Sequence, residues 1–347
     1  MPASELWHRN PMNGLVRASS AVLHGTMSAG ANVLLAQGAV VRAHAGAVAI
    51  GGGSAVLENS VVVGTPEHPV SIGRKVVFGH CCLVIGASVG DLSEIGNGTI
   101  LMPGARLGRR VFTGEGTLVP AGMVVADDSV VVGRPARRVR SASEDDLRRL
   151  AGLRGGDLTL AAEDPISMIH DVSPAGEDMG KLYSYGNKWP HIDDTAMCFE
   201  SAEITGDVIV GAGSVIGAGV KIIGDSHGPV RIGARVQILE NSVLHLLPDN
   251  QLVLEDDVVI GPGAMIHGCT IGAGSVVEPG AIVCDHAVLG RGCLVLAGSV
   301  VKQRAQFGDN AVVDGFPARL VETRATPPER PAWALPAKNL AEIQRIR

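Results

Sequence analysis

The sequence predicts an all-β solenoid built as two tandem copies, and three observations carry that expectation. Composition is the first: the 347 residues include 46 glycines but only five phenylalanines and two tyrosines. A core of Val, Ile, Leu and Ala, spaced by glycine, suits a narrow repetitive structure better than a layered one. Period is the second. From Val210 an aliphatic side chain recurs at every sixth place (Val210, Ile216, Ile222), with glycine following in Ile216-Gly217 and Ile232-Gly233. The beat resumes through Leu254, Ile260 and Ile266, slips by one to Ile271, and continues through Val277, Val283, Leu289, Val295 and Val301. Duplication is the third: the same beat runs over residues 33–132, at a constant offset of 182 residues. A period of six fits neither an amphipathic helix nor a simple alternating strand. It fits short strands that each send one aliphatic side chain inward and then turn, with a small residue such as Ser214 often at the fifth place.

These units resemble the hexapeptide repeat of left-handed parallel β-helices, in which three hexapeptides, about 18 residues, complete one coil. The resemblance covers roughly residues 20–139 and 200–320. It divides the chain into a first β-helix domain over 1–140, a connecting stretch over 141–199, and a second β-helix domain with a C-terminal extension over 200–347. Each copy ends alike, in Gly133-Arg134-Pro135-Ala136-Arg137 and Gly315-Phe316-Pro317-Ala318-Arg319, where proline marks the exit from the repeat. Short helices are expected after the repeats. One is Ser143 to Leu150, with its acidic start and basic continuation; the other is Ala337 to Arg347. The stretch between the copies reads as irregular. It gathers Tyr183, Tyr185 and Trp189, as a structural strap or as a lid over a site.

The formal net charge of −6 provides no basic footprint, so nucleic acid is not an expected partner. No apolar run approaches a membrane span, and residues 1–13 are too polar for a secretory signal. A cytoplasmic location is the expectation. The six cysteines lack zinc-finger spacing and read as reduced thiols, with Cys81 and Cys82 as packing residues.

Histidine placement carries the chemistry. The second copy has His245 and His267 where the first has Val63 and Ile85; the first has His80 where the second has Pro262. Leu244 and Ile266 occupy the inward slot, so the histidines that follow them face outward. They are 22 residues apart, one coil plus a four-residue insertion accommodated within Leu246 to Gln251. That spacing stacks them on one face in adjacent coils, about 4.8 Å apart. Two imidazoles so stacked can share one ion at about 2.0–2.1 Å per Zn–N bond. Position 262 lies one hexapeptide earlier, near another edge of the prism, so the imidazole of His80 would have to arrive from a neighbouring prism. The expectation is one three-histidine metal site shared by the two domains, with an open coordination position that suits catalysis. His44, His191 and His227 read as surface or turn residues.

The segments Ser242-Val243-Leu244-His245 and Ile260 to Gly272 resemble the ligand segments of the γ-class carbonic anhydrases. Pro262 stands where that family has its second histidine, and Phe78-Gly79-His80 restores it. The resemblance implies a divalent metal, Zn2+ first, with Fe2+ or Co2+ as alternatives. It further implies water activated for attack on CO2 or another small electrophilic carbon, by hydration, dehydration or hydrolysis. The family's Val-Arg-x-Asp element is divided: Arg42 survives in the first copy and Asp225 in the second. Arg42 would stabilise an anion or pair with Asp225, and Glu240 would relay protons or sit solvated. The family's glutamine is replaced by Leu57 and Leu239, which opens the reading to a thioester, an amide or a small metabolite. The expected partner is a small-molecule substrate, with pairing of the two domains inside one chain and a possible homo-oligomer. Two other classes stay open: an acyl-CoA-dependent hexapeptide acyltransferase using a histidine base, and a non-catalytic scaffold using flat prism faces.

Overall fold

One aliphatic side chain per short strand turns inward, and parallel pairing stacks these side chains into columns. The structure, a computed structural model, describes residues 7–9, 14–160, 162, 164–171, 180–225 and 228–335. It divides into two compact units, Met1–Ser173 and Pro174–Arg347. In the second unit Ile222, Leu244, Ile266, Val283 and Val301 follow one another in register across consecutive coils, all fully buried. In the first, Val62, Val84, Leu101 and Val119 do the same. The chain is a β-solenoid of stacked parallel coils in both units. The second has two seven-stranded sheets and one eight-stranded sheet. In the first, two of the three faces merge, because the long strand Val22–Ala29 pairs with Val40–Ala43 through one half and Val48–Ile50 through the other.

Coil length varies without loss of register. Leu107 pairs with Val125 at the regular spacing, whereas Leu244 pairs with Ile266 across a long coil and Ile266 with Val283 across a short one. The short coil is the one-residue slip in the sequence beat. The preference for a small polar residue at the fifth place also has a physical cause. Ser214 Oγ donates to the carbonyl of Gly233 at 2.8 Å and accepts from Val236 N at 3.0 Å. Ser60 and Ser242 bridge their coils in the same way. Each buried serine thus satisfies two backbone groups at a corner that would otherwise lack partners.

Helix α1 spans Glu144–Leu153, with Ser143 and Asp146 forming a reciprocal cap. Its Leu150 packs on Leu92 and Phe112 of the first unit. The second unit begins earlier than the repeat signature suggests. Strands Lys181–Tyr183, His191–Ile192 and Met197–Cys198 pair with the coil above them, so part of the stretch read as irregular forms the first coil of the second unit. A terminal coil faces solvent on one side, which accounts for its polar, aromatic sequence; Tyr183, Tyr185 and Trp189 are exposed. After the repeat the chain returns along the second unit, where the Gln237 amide clamps Leu335, donating to its carbonyl at 2.6 Å and accepting from its N–H at 3.0 Å. The helix expected over 337–347 lies outside the described residues, as does His227. Among the described residues no helix is long and apolar enough to cross a membrane.

All six cysteines are free thiols. Cys81 is exposed on a left-handed turn, φ +56°, while burial pushes the Cys82 and Cys198 thiols up to about 12. In native protein an aromatic disulfide reagent should therefore modify Cys81 first and the half-buried Cys284 more slowly. Cys82, Cys198, Cys269 and Cys293 should react only on unfolding; mass spectrometry of the labelled peptides gives the order. Replacing Ser214 by Ala strands the Gly233 carbonyl and Val236 N–H, and should cost about 1–3 kcal/mol in urea unfolding.

Candidate functional site

In the second unit, Leu244 and Ile266 fill the core and the residues after them turn outward. His245 N donates to the Ile266 carbonyl at 3.0 Å, and His267 N to that of Val283 at 2.8 Å, so both backbones are fixed by the ladder. The two rings stand 5.8 Å apart between centroids, edge to face at 89°. Two nitrogens on one tetrahedral ion lie about 3.3 Å apart, a separation that rings in this arrangement can present. Each ring has a carboxylate beside it. Asp225 Oδ2 is 3.6 Å from His245 Nε2, and Asp285 Oδ2 is 3.3 Å from His267 Nδ1.

The long coil forms the wall of this site. Asp285, almost wholly buried, accepts through Oδ1 from Leu247 N at 3.2 Å and from Asn250 Nδ2 at 3.3 Å. Asn250 Nδ2 also donates to the Gly268 carbonyl at 2.6 Å. A side chain at position 268 would meet that nitrogen at 2.2 Å, which explains the glycine directly after His267.

In the first unit Val63 and Ile85 occupy the corresponding places and are buried as apolar groups. His80 lies on another face, two residues beyond the end of strand pairing at Phe78, and directly above Glu58. Its backbone N–H donates to Asn97 Oδ1 at 2.7 Å, and its ring Nδ1 lies 2.8 Å from Glu58 Oε2. The approach is off the N–H axis: Glu58 Oε2 is shielded from solvent yet accepts no hydrogen bond of sound angle. A carboxylate so placed is ready to hold the ring by a small rotation. The His80 side chain itself is 54% exposed.

The structure brings His245, His267 and Asp225 together in one unit. His80 and Arg42 belong to the other unit, and Arg42, buried at 2% exposure, stacks in register between His24 and Val63. Glu240 is buried at 2% exposure, not solvated, and follows the strand Gln237–Ile238 on a different face from the two histidines. Among the described residues no three His, Cys, Asp or Glu side chains stand gathered as a metal cluster. The donor chemistry of the pair nonetheless suits a divalent ion: two imidazoles from adjacent coils, each backed by a carboxylate. Asp285 and Asn250 escaped the sequence reading. The signal for Asp285 is the short coil, which pairs Ile266 with Val283 and so sets Cys284 over His267 with Asp285 next to it.

Residues 252–285, which include His267, match the family model described as bacterial transferase hexapeptide (six repeats). A carbonic anhydrase of Geobacillus kaustophilus is 39% identical over 166 residues, covering 48% of this chain and 85% of that protein. The carnitine operon protein CaiE of Escherichia coli is 34% identical over 139 residues, 40% of this chain and 70% of that protein. Among solved structures, a hexapeptide transferase family protein from Anaplasma phagocytophilum is 27% identical, covering 48% of this chain and 90% of that one, with a TM-score of 0.40. With sustained hexapeptide coils and these sequence identities over most of each relative's length, the chain belongs to the γ-class carbonic anhydrase-like family of hexapeptide-repeat proteins.

Proposed function

We propose that the chain is a γ-carbonic-anhydrase-like metalloenzyme with His245 and His267 of the second unit as ligands and His80 as the third histidine that the family resemblance implies. The observation that carries this reading is the edge-to-face pair of His245 and His267, 5.8 Å apart on adjacent coils. A bound divalent ion, Zn2+ first, would supply Lewis acidity and an activated water near neutral pH. The protein's own groups do the rest. Asp225 and Asp285 orient the two imidazoles, and the shielded Glu58 carboxylate steadies His80. Glu240, which the resemblance offers as a proton relay, is buried on a different face of the second unit from the two histidines. Leu57 and Leu239 stand where the family has a hydrogen-bonding glutamine, which widens the substrate from CO2 to another small electrophilic carbon, such as that of a thioester or an amide.

A second reading has its own support. The stretch that matches the transferase hexapeptide includes His267 and Asp285, a histidine–carboxylate pair suited to general-base work in acyl transfer from a thioester. The two readings part over metal. Protein loaded with Zn2+ or Co2+ and then dialysed should retain close to one ion per chain by mass spectrometry. His245→Ala and His267→Ala should each abolish that retention, and His80→Ala should weaken it.

Stopped-flow CO2 hydration, run beside a panel of thioesters, should fall by about a hundredfold or more in kcat/KM for each ligand variant. Metal-free protein that turns over acyl-CoA at full rate, and loses that rate in His267→Ala alone, would establish the second reading instead.

A further inference from the structure

We infer that Asp285 fixes the tautomer of His267, holding the proton on Nδ1 and leaving Nε2 bare, and that Asn250 and Leu247 hold Asp285 in place to do so. The use of that bare nitrogen rests on the metalloenzyme reading; the tautomer does not. Three observations converge. Asp285 Oδ1 is committed to two donors, Leu247 N and Asn250 Nδ2, which turns Oδ2 toward His267 Nδ1 at 3.3 Å. Oδ2 of an ionised carboxylate can only accept, and a small rotation of the ring, which now holds Nδ1 off the N–H···O axis, lets it take the Nδ1 hydrogen. The Asp285 side chain is only 9% exposed, so water does not compete strongly for that oxygen.

The duplicated frame provides an internal comparison. In the first unit, the places of Asn250, His267 and Asp285 are taken by His68, Ile85 and Pro103. The same long coil is present there, with Val62 paired to Val84 across it and Leu101 following across a short one. Where no imidazole needs orienting, neither the carboxylate nor the amide that steadies it is found. Asp285 is therefore a positioning residue tied to His267, not a requirement of the coil geometry.

The test is 15N NMR of the histidine rings in protein stripped of metal by EDTA, in mildly alkaline buffer, with the His267 signals assigned by their loss in His267→Gln. Wild-type protein should show the Nδ1–H form at His267. In Asp285→Asn the amide keeps Oδ1 as an acceptor but presents N–H2 to the ring, and the signals should switch to the Nε2–H form. Zn2+ affinity, measured by chelator competition, should drop by about 10–100-fold in that variant. Asn250→Ala, which removes one of the two donors that hold Asp285, should weaken Zn2+ less and show a part of the Nε2–H form, and an unchanged tautomer there would remove Asn250 from the device. An Nε2–H form in the wild type would overturn the inference without any variant, so it stands or falls even if Asp285→Asn does not fold. An unchanged tautomer in folded Asp285→Asn would overturn it equally. A tautomer switch in a protein that binds neither Zn2+ nor Co2+ would uphold the inference and sink the metalloenzyme reading alone.

Discussion

The coil-to-coil backbone hydrogen bond is the constraint on which everything else in this molecule depends. Parallel pairing in register sets each residue directly over its counterpart about 4.8 Å away, so a position in the repeat becomes a column on the prism. Inward columns are mostly aliphatic because the core is narrow, with Phe78 stacked in register between Val56 and Ile95 as a larger exception. Outward columns are where chemistry can be built, and the pair of His245 and His267 is one short column of that kind. Their backbones are held by the same ladder that holds the core, so the rings start from a fixed spacing and need only orientation. That orientation is the part the ladder cannot supply, and it falls to carboxylates in neighbouring turns.

Coil length is the adjustable quantity. A long coil keeps register at both ends because its extra residues leave the prism as a loop at a corner. Between Leu244 and Ile266 that loop folds down over the edge of the histidine column, where Leu247 N and Asn250 Nδ2 reach Asp285. The next coil is one residue short, so Cys284 falls in register with His267 and Asp285 stands one place beyond it, beside the ring. A long coil followed by a short one thus moves two polar groups toward one imidazole while the aliphatic core continues undisturbed through Val283. The irregularities in the hexapeptide beat and the polar contacts of the site are one feature.

Most of the fold was legible because a six-residue beat is a direct imprint of inward-facing side chains, and the adjacency of His245 and His267 followed from counting coils. Three things were not. The opening coil of the second unit, built from Lys181–Tyr183, His191–Ile192 and Met197–Cys198, faces solvent at one end and so lacks the aliphatic regularity that marks inner coils. The burial of Glu240 was missed because the repeat tells which way a side chain leaves the prism, not what else lies over that face. Asp285 was missed for a subtler reason. The short coil puts Cys284 in register with His267 and leaves Asp285 one place beyond it, so the contact is a diagonal one that column counting does not bring out.

The two units show why the histidines are divided as the sequence divides them. An outward column can serve as apolar wall or as ligand row, and the two uses are incompatible. Val63 and Ile85 are buried almost completely, whereas the side chains at the same places in the second unit, His245 and His267, retain 28% and 29% exposure. An imidazole sealed at a site shaped for valine would lose its water without gaining a partner, at a cost of about 1–3 kcal/mol. His80, 54% exposed at its edge with Glu58 beneath it, escapes that cost; proline at 262 has no donor or acceptor in its side chain and forgoes the role. Each unit therefore has solvent access and carboxylate backing at the histidine positions it keeps, and an apolar or inert residue at those it has given up.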